Sequence, residues 1–177
     1  MLCVGLCRKK LVCLCLEVKM IARIRIRSDG NSRELCQMDV MKFSEEQVRE
    51  RMAERGIKDD TFFICGFLDW DIDKIMSLSE AYLLKRCLLG LYDGDSFIIE
   101  YLLKRGLSVT EIVMKHYLFL SKDETIAMQF LLQHADIKAI IDFFYKSGTW
   151  VNAINAYMEH GILLNTSKGF YVDIANS

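Results

Sequence analysis

Three carboxylates spaced two apart, in Phe67-Leu68-Asp69-Trp70-Asp71-Ile72-Asp73, form the most chemically suggestive pattern in the chain. A strand turns successive side chains to opposite faces, so the spacing predicts a ladder of Asp69, Asp71 and Asp73 on one edge, with Leu68, Trp70 and Ile72 towards a core. Such a row presents negative charge to a basic partner and gains affinity by releasing the counterions of that partner's groove. Glu80, Asp93, Asp95 and Glu100 extend it into a candidate partner-binding acidic surface; a solvated rim is the alternative for the same residues. Charge is segregated along the chain. Residues 1–58 hold 13 Lys and Arg against 8 Asp and Glu, whereas residues 59–177 hold 10 against 16, within a formal net charge of −1. From Met20 onward the balance is −4.

Other chemistries find little to work with. His116, His134 and His160 fall in different elements, which suits surface or cap roles better than a two-histidine metal helix or a serine triad. Gly90 and Gly94 lack the Gly-Lys-Ser/Thr spacing of a phosphate loop. Asp93-Gly94-Asp95 is a fragment of a calcium loop without the downstream Glu, and reads as a capping turn. Arg23, Arg25 and Arg27 could touch phosphates, but without interleaved aromatics a solvated strand face is the simpler reading. Cys3, Cys7, Cys13 and Cys15 lack the two-residue knuckle spacing of a zinc site, and an odd total of seven cysteines argues for a reducing compartment. The expectation is a protein that binds rather than catalyses, with no cofactor, no metal, no direct nucleic-acid contact and no membrane segment. Leu11-Val12-Cys13-Leu14-Cys15-Leu16 is too short to span a bilayer and lacks a small-residue cleavage site, so no export signal is read.

These residues must be positioned by elements that the pattern outlines. A chain of 177 residues with 52% apolar content can bury a substantial core in one domain or in two to three small lobes. Residues 1–19 read as a dispensable extension. Residues 20–74 predict a β-β-α-β lobe. Ala22 to Arg27 and Leu35 to Val40 alternate around a Ser28-Asp29-Gly30-Asn31-Ser32 turn. Ser44 and Gln47 then form a capping box, Gly56 stops the helix, and a strand runs from Thr61 to Asp71. Residues 75–115 predict a helical lobe, with Ser77/Glu80 and Ser108/Glu111 boxes, Asp95 as a cap, and stops at Gly90 and Gly106. Residues 116–177 predict an α/β lobe: a strand at 117–120, a third box at Ser121/Glu124, helices to about His134 and from Asp136 to Gly148, and a closing hairpin. The class is α+β, elongated. The aromatic density of the last lobe, including Trp150, Tyr157, Phe170 and Tyr171, marks a possible dimer interface.

The order of these elements carries a resemblance. A hairpin opening at Met20, a helix, a strand running into an acidic aromatic stretch and Ser77-Leu78-Ser79-Glu80-Ala81-Tyr82-Leu83 make up its first half. A small α/β lobe with Ile154-Asn155-Ala156-Tyr157 and Lys168-Gly169-Phe170-Tyr171-Val172-Asp173-Ile174 completes it. Together they resemble the ArdA antirestriction proteins over about residues 20–175. The resemblance implies an elongated, dimeric acidic DNA mimic, made by a mobile genetic element and acting in the bacterial cytoplasm. Its partner would be a type I restriction-modification enzyme, whose DNA groove it blocks. The alternative is an ArdA-fold inhibitor retargeted to another host defence nuclease, such as a CRISPR effector.

Overall fold

The computed structural model describes residues 18–28 and 30–175. It is an α+β fold, with seven helices and seven strands in two antiparallel sheets among those residues. The described residues divide into two compact units: residues 18–28, 30–82 and 94–96, and residues 83–93 with 97–175. Residues 75–115, expected as a lobe of their own, are shared between the two. Cys3, Cys7, Cys13 and Cys15 lie outside the described residues.

The first unit is built on β1 (Ile21–Ser28), β2 (Asn31–Asp39), β3 (Phe62–Phe67) and β4 (Ile72–Met76), in the order β2-β1-β3-β4. Alternation in the sequence fixes which face is covered: Ala22, Ile24, Ile64 and Met76 are buried on one side. Helix α1 (Glu45–Glu54) turns Val48 and Met52 inward, and its Ser44/Gln47 capping box forms as expected. It ends in a Schellman closure. Gly56 adopts φ +70°, with its N–H on the Ala53 carbonyl at 2.9 Å and the Ile57 N–H on that of Met52 at 2.9 Å. Arg49 ties this helix to its surroundings, donating to Glu45 and to Ser79 Oγ at 2.8 and 2.7 Å and pairing with Asp59. The expected β-β-α-β order gains a strand, because the run from Thr61 to Asp71 breaks after Phe67 and returns as β4.

In α2 (Leu78–Leu91) the Ser77/Glu80 box forms, but the helix continues through Gly90 to Leu91. The division between the units falls within it, after Tyr82. The second unit continues with α3 (Phe97–Lys104) and α4 (Val109–Val113), the latter opened by the Ser108/Glu111 box. Strand β5 (Tyr117–Ser121) leads to α5 (Glu124–Leu132), α6 (Ile137–Ser147) and α7 (Trp150–Glu159), and β6 (Leu163–Thr166) and β7 (Gly169–Asp173) make the closing hairpin. Helix α5 is capped by Asp123, which accepts from the Thr125 N–H at 2.7 Å, not by the expected Ser121. Ser121 instead accepts from the Asp123 N–H at 2.9 Å, a local turn that sets the cap one step before the helix. The sheet order is β5-β7-β6. Phe170 and Tyr171 are neighbours on its central strand and point to opposite faces, yet both are buried, so both faces of β7 are covered.

Candidate functional site

The carboxylate ladder does not form. Residues 68–71 are the β3–β4 turn, in which Asp71 takes φ +51°, a left-handed conformation that Asp tolerates better than most residues. Each acid then meets a different fate. Asp69 accepts the Ile21 N–H at 2.8 Å, so it holds the start of β1. Asp73, on β4, pairs with Arg23 across the sheet. Asp71 is exposed and makes no ion pair among the described residues. Leu68, expected in the core, is 41% exposed, while Trp70 is buried against Phe67 at 4.8 Å between ring centroids. The bulge that permits this turn rests on Gly66, at φ +151°. A Cβ there would overlap the Ile72 carbonyl.

The remaining acids also differ in their surroundings. Glu80 closes its own capping box, accepting the Ser77 N–H at 2.7 Å. Glu100 lies 3.9 Å from Lys104 one turn on. Asp93 is exposed at φ +48°. Asp93 and Glu100 belong to the second unit, whereas Asp69, Asp71, Asp73, Glu80 and Asp95 belong to the first. Among the basic residues, Arg25 donates to the Ser32 carbonyl at 2.6 Å and to its Oγ at 3.1 Å, and Arg27 lies over the Phe63 ring at 5.1 Å. The solvated face of the first sheet is thus a mixed surface whose charges are largely met from within.

The aromatic set of the second unit is also redistributed. Phe170 packs with Met128, Ile154 and Leu163, and Tyr171 lies 5.4 Å from Phe119 and 6.1 Å from Phe97. Tyr157 is half-buried beside Phe143, and burial pushes its hydroxyl pKa up. Phe170 and Tyr171, expected at a possible dimer interface, are thus buried on the central strand; the Trp150 side chain lies outside the described residues. What faces outward is a different set. Helix α6 contains no fully buried residue. Phe143 and Phe144 pack against the core, while Ile137, Ile141 and Tyr145, one turn apart, are 76%, 60% and 89% exposed. The signal was present in Ile137-Lys138-Ala139-Ile140-Ile141-Asp142-Phe143-Phe144-Tyr145, which holds more large apolar residues than one helix face can bury.

One buried polar cluster escaped the sequence reading. Asp173, 1% exposed, accepts the His116 N–H at 3.0 Å and the Ala175 N–H at 3.1 Å, and lies 3.6 Å from Lys115 Nζ. Tyr117 donates to the Gly161 carbonyl at 2.7 Å, and Tyr92 accepts the Tyr117 N–H at 3.2 Å. Burial, reinforced for Tyr117 by the Asp173 charge, pushes both hydroxyls up to about 12. They stay protonated at neutral pH, far from the range a general acid or base needs. The cluster fastens the start of β5 to the end of β7. His160 caps α7, with Nδ1 2.7 Å from the Ala156 carbonyl. Among the described residues no three His, Cys, Asp or Glu side chains group as metal ligands, and no helix is long and apolar enough to cross a membrane.

Family models, curated proteins and solved structures give no match to this chain. From Val18 onward the first unit holds 11 Lys and Arg against 14 Asp and Glu, and the second holds nine of each. The second unit's most prominent outward feature is apolar.

Proposed function

We propose that this protein is a non-catalytic binding protein that works as a homodimer assembled across the outer face of α6. The observation that carries the reading is the exposed stripe of Ile137, Ile141 and Tyr145. A second copy suits it because the helix is self-complementary about a two-fold axis through Ile141. Laid antiparallel, the two helices set Ile141 against Ile141 and Ile137 against Tyr145. Lys138 and Asp142 lie one turn apart beside the stripe and make no ion pair with each other. In the antiparallel pair, Lys138 meets the partner's Asp142 twice. The neutral balance of the unit adds no net repulsion.

The resemblance to ArdA proteins supplies the target class, a host defence nuclease. Between the two targets it implies, the retargeted one fits the surface better: Asp69 and Asp73 are spent within the fold, and the Arg23, Arg25 and Arg27 face is mixed in charge. The DNA-decoy reading retains support from Asp71 and Asp93, which are exposed and outside any ion pair among the described residues. The two part in a restriction assay in cells expressing the protein. Retargeted binding predicts undiminished type I restriction and inhibition of a CRISPR nuclease that is lost in Ile141→Asp. Decoy action predicts relief of restriction that falls steeply with salt in vitro and fails when Asp69, Asp71 and Asp73 all become Asn. Wild-type inhibition that survives Ile141→Asp undiminished removes the dimer from the function.

A further inference from the structure

Between the outer strand of the first sheet and α1 lies a cavity of about 290 Å³. Its origin is in the register. Cys36 and Met38 pair with Ile24 and Ala22 and so share their core-facing side. Ile24 and Ala22 are fully buried, whereas Cys36 and Met38, on the sheet's edge strand, are only half covered. Helix α1 offers Val48 and Met52 to the space without filling it, and Phe43 also lines it.

Two of the three charged residues that line this space are arginines. Arg51 in the last turn of α1 and Arg55 at its C-cap line the cavity and remain exposed to solvent, and neither pairs with a carboxylate among the described residues. Arg51 is held with its guanidinium 4.8 Å above the Phe43 ring. Asp39, the acid in the lining, already accepts the Met41 N–H at 3.1 Å and faces Lys42 at 3.6 Å. Burial pushes the Cys36 thiol up, Arg55 pulls it down less strongly and Glu34 adds to the rise. A thiol kept protonated is an apolar wall rather than a nucleophile.

We propose that this cavity binds a small amphipathic carboxylate, with its apolar tail between β2 and α1 and its carboxylate on Arg51 and Arg55. The volume lies just under the roughly 300–1,000 Å³ typical of small-molecule sites, which suits a single medium-length chain or one ring. Guanidinium groups select a carboxylate by paired, charge-assisted hydrogen bonds that an alcohol cannot match. The chain's own residues 1–17 are the wrong sign for this role, with Arg8, Lys9 and Lys10 against the lone acid Glu17.

The test is calorimetric titration of the full chain with decanoate, decanol and decylammonium. Decanoate should bind saturably with one site per chain, at least about tenfold tighter than decanol, as a charge-assisted pair predicts. Exchange of both arginines, Arg51→Glu with Arg55→Glu, should abolish decanoate binding with the circular dichroism unchanged, and should admit decylammonium instead. Cys36→Phe, which fills the tail space and leaves the charge alone, should weaken decanoate at least about tenfold, by loss of buried apolar surface. No saturable decanoate binding, equal affinity for decanol, or binding that persists in either variant would overturn the assignment.

Discussion

The two units each support an antiparallel sheet with helices but dispose of their surplus groups in opposite ways. The first keeps its charged residues at the surface and meets several of them from within: Arg23 with Asp73, Arg49 with Glu45 and Asp59, and Asp69 on the Ile21 N–H. The second buries a carboxylate, Asp173, beside the half-buried Lys115, and leaves large apolar side chains of α6 outside. Neither local density of acids nor local density of aromatics therefore identifies an interaction surface. Acids two apart can be turn residues, and clustered aromatics can be a central strand with both faces covered. A helix apolar on more than one side is more informative, because one side must find something other than its own core.

The largest effect expected from breaking this contrast is at the buried carboxylate. Asp173→Ala strips two N–H groups of their acceptor and leaves Lys115 uncompensated, and should cost about 3 kcal/mol in denaturant unfolding. A comparable Arg23→Ala change in the exposed pair of the first unit should cost at most about 1 kcal/mol. Gly66→Ala comes next. It drives a Cβ into the Ile72 carbonyl and should cost about 2–3 kcal/mol, read in the same way, with the β3–β4 turn the first region to lose amide protection.

Alkaline titration sharpens the comparison in a different way. The Tyr92 and Tyr117 hydroxyls of the second unit are raised from 10.0 to about 12, burial being the main cause in both. A raised folded pKa gives stability that is complete below pH 10 and lost as pH climbs towards 12. The second unit should accordingly loosen in that window. Tyr117→Phe should flatten the loss while costing about 1 kcal/mol at neutral pH for the hydrogen bond to Gly161. Tyr82 gives the first unit one such group, also raised to about 12, so its alkaline loss should be the smaller. The smallest effect belongs to Asp69→Asn. The amide oxygen can still accept the Ile21 N–H, so stability should change by less than about 0.5 kcal/mol.

Much of the fold was legible because local signals agreed with the tertiary outcome. Alternation gave β1 and β2, Ser44/Gln47 and Ser108/Glu111 gave two helix starts, and the polar run at 165–169 gave the final hairpin. The β3–β4 turn was hidden because Asp69, Trp70 and Asp71 continue a period of two, and the break depends on Asp71 and Gly66 taking positive φ, which composition does not announce. Helix α7 went unassigned although Ala153, Ile154 and Tyr157 recur at helical spacing. Of the candidate sites, the acids were readable as residues but not as partners. Whether a carboxylate is free depends on contacts such as Asp69 with Ile21, 48 residues away. Asp173 was invisible as a buried charge because its neighbours Lys115 and His116 are distant in sequence.

The proposed homodimer depends on the outer face of α6. Sedimentation velocity of the wild type and of Ile141→Asp, both at about tens of micromolar, the range of ordinary interface affinities, addresses it directly. A dimer is expected for the wild type and a monomer for the variant, with identical circular dichroism. A wild type that stays monomeric, or a dimer that survives Ile141→Asp, would contradict it.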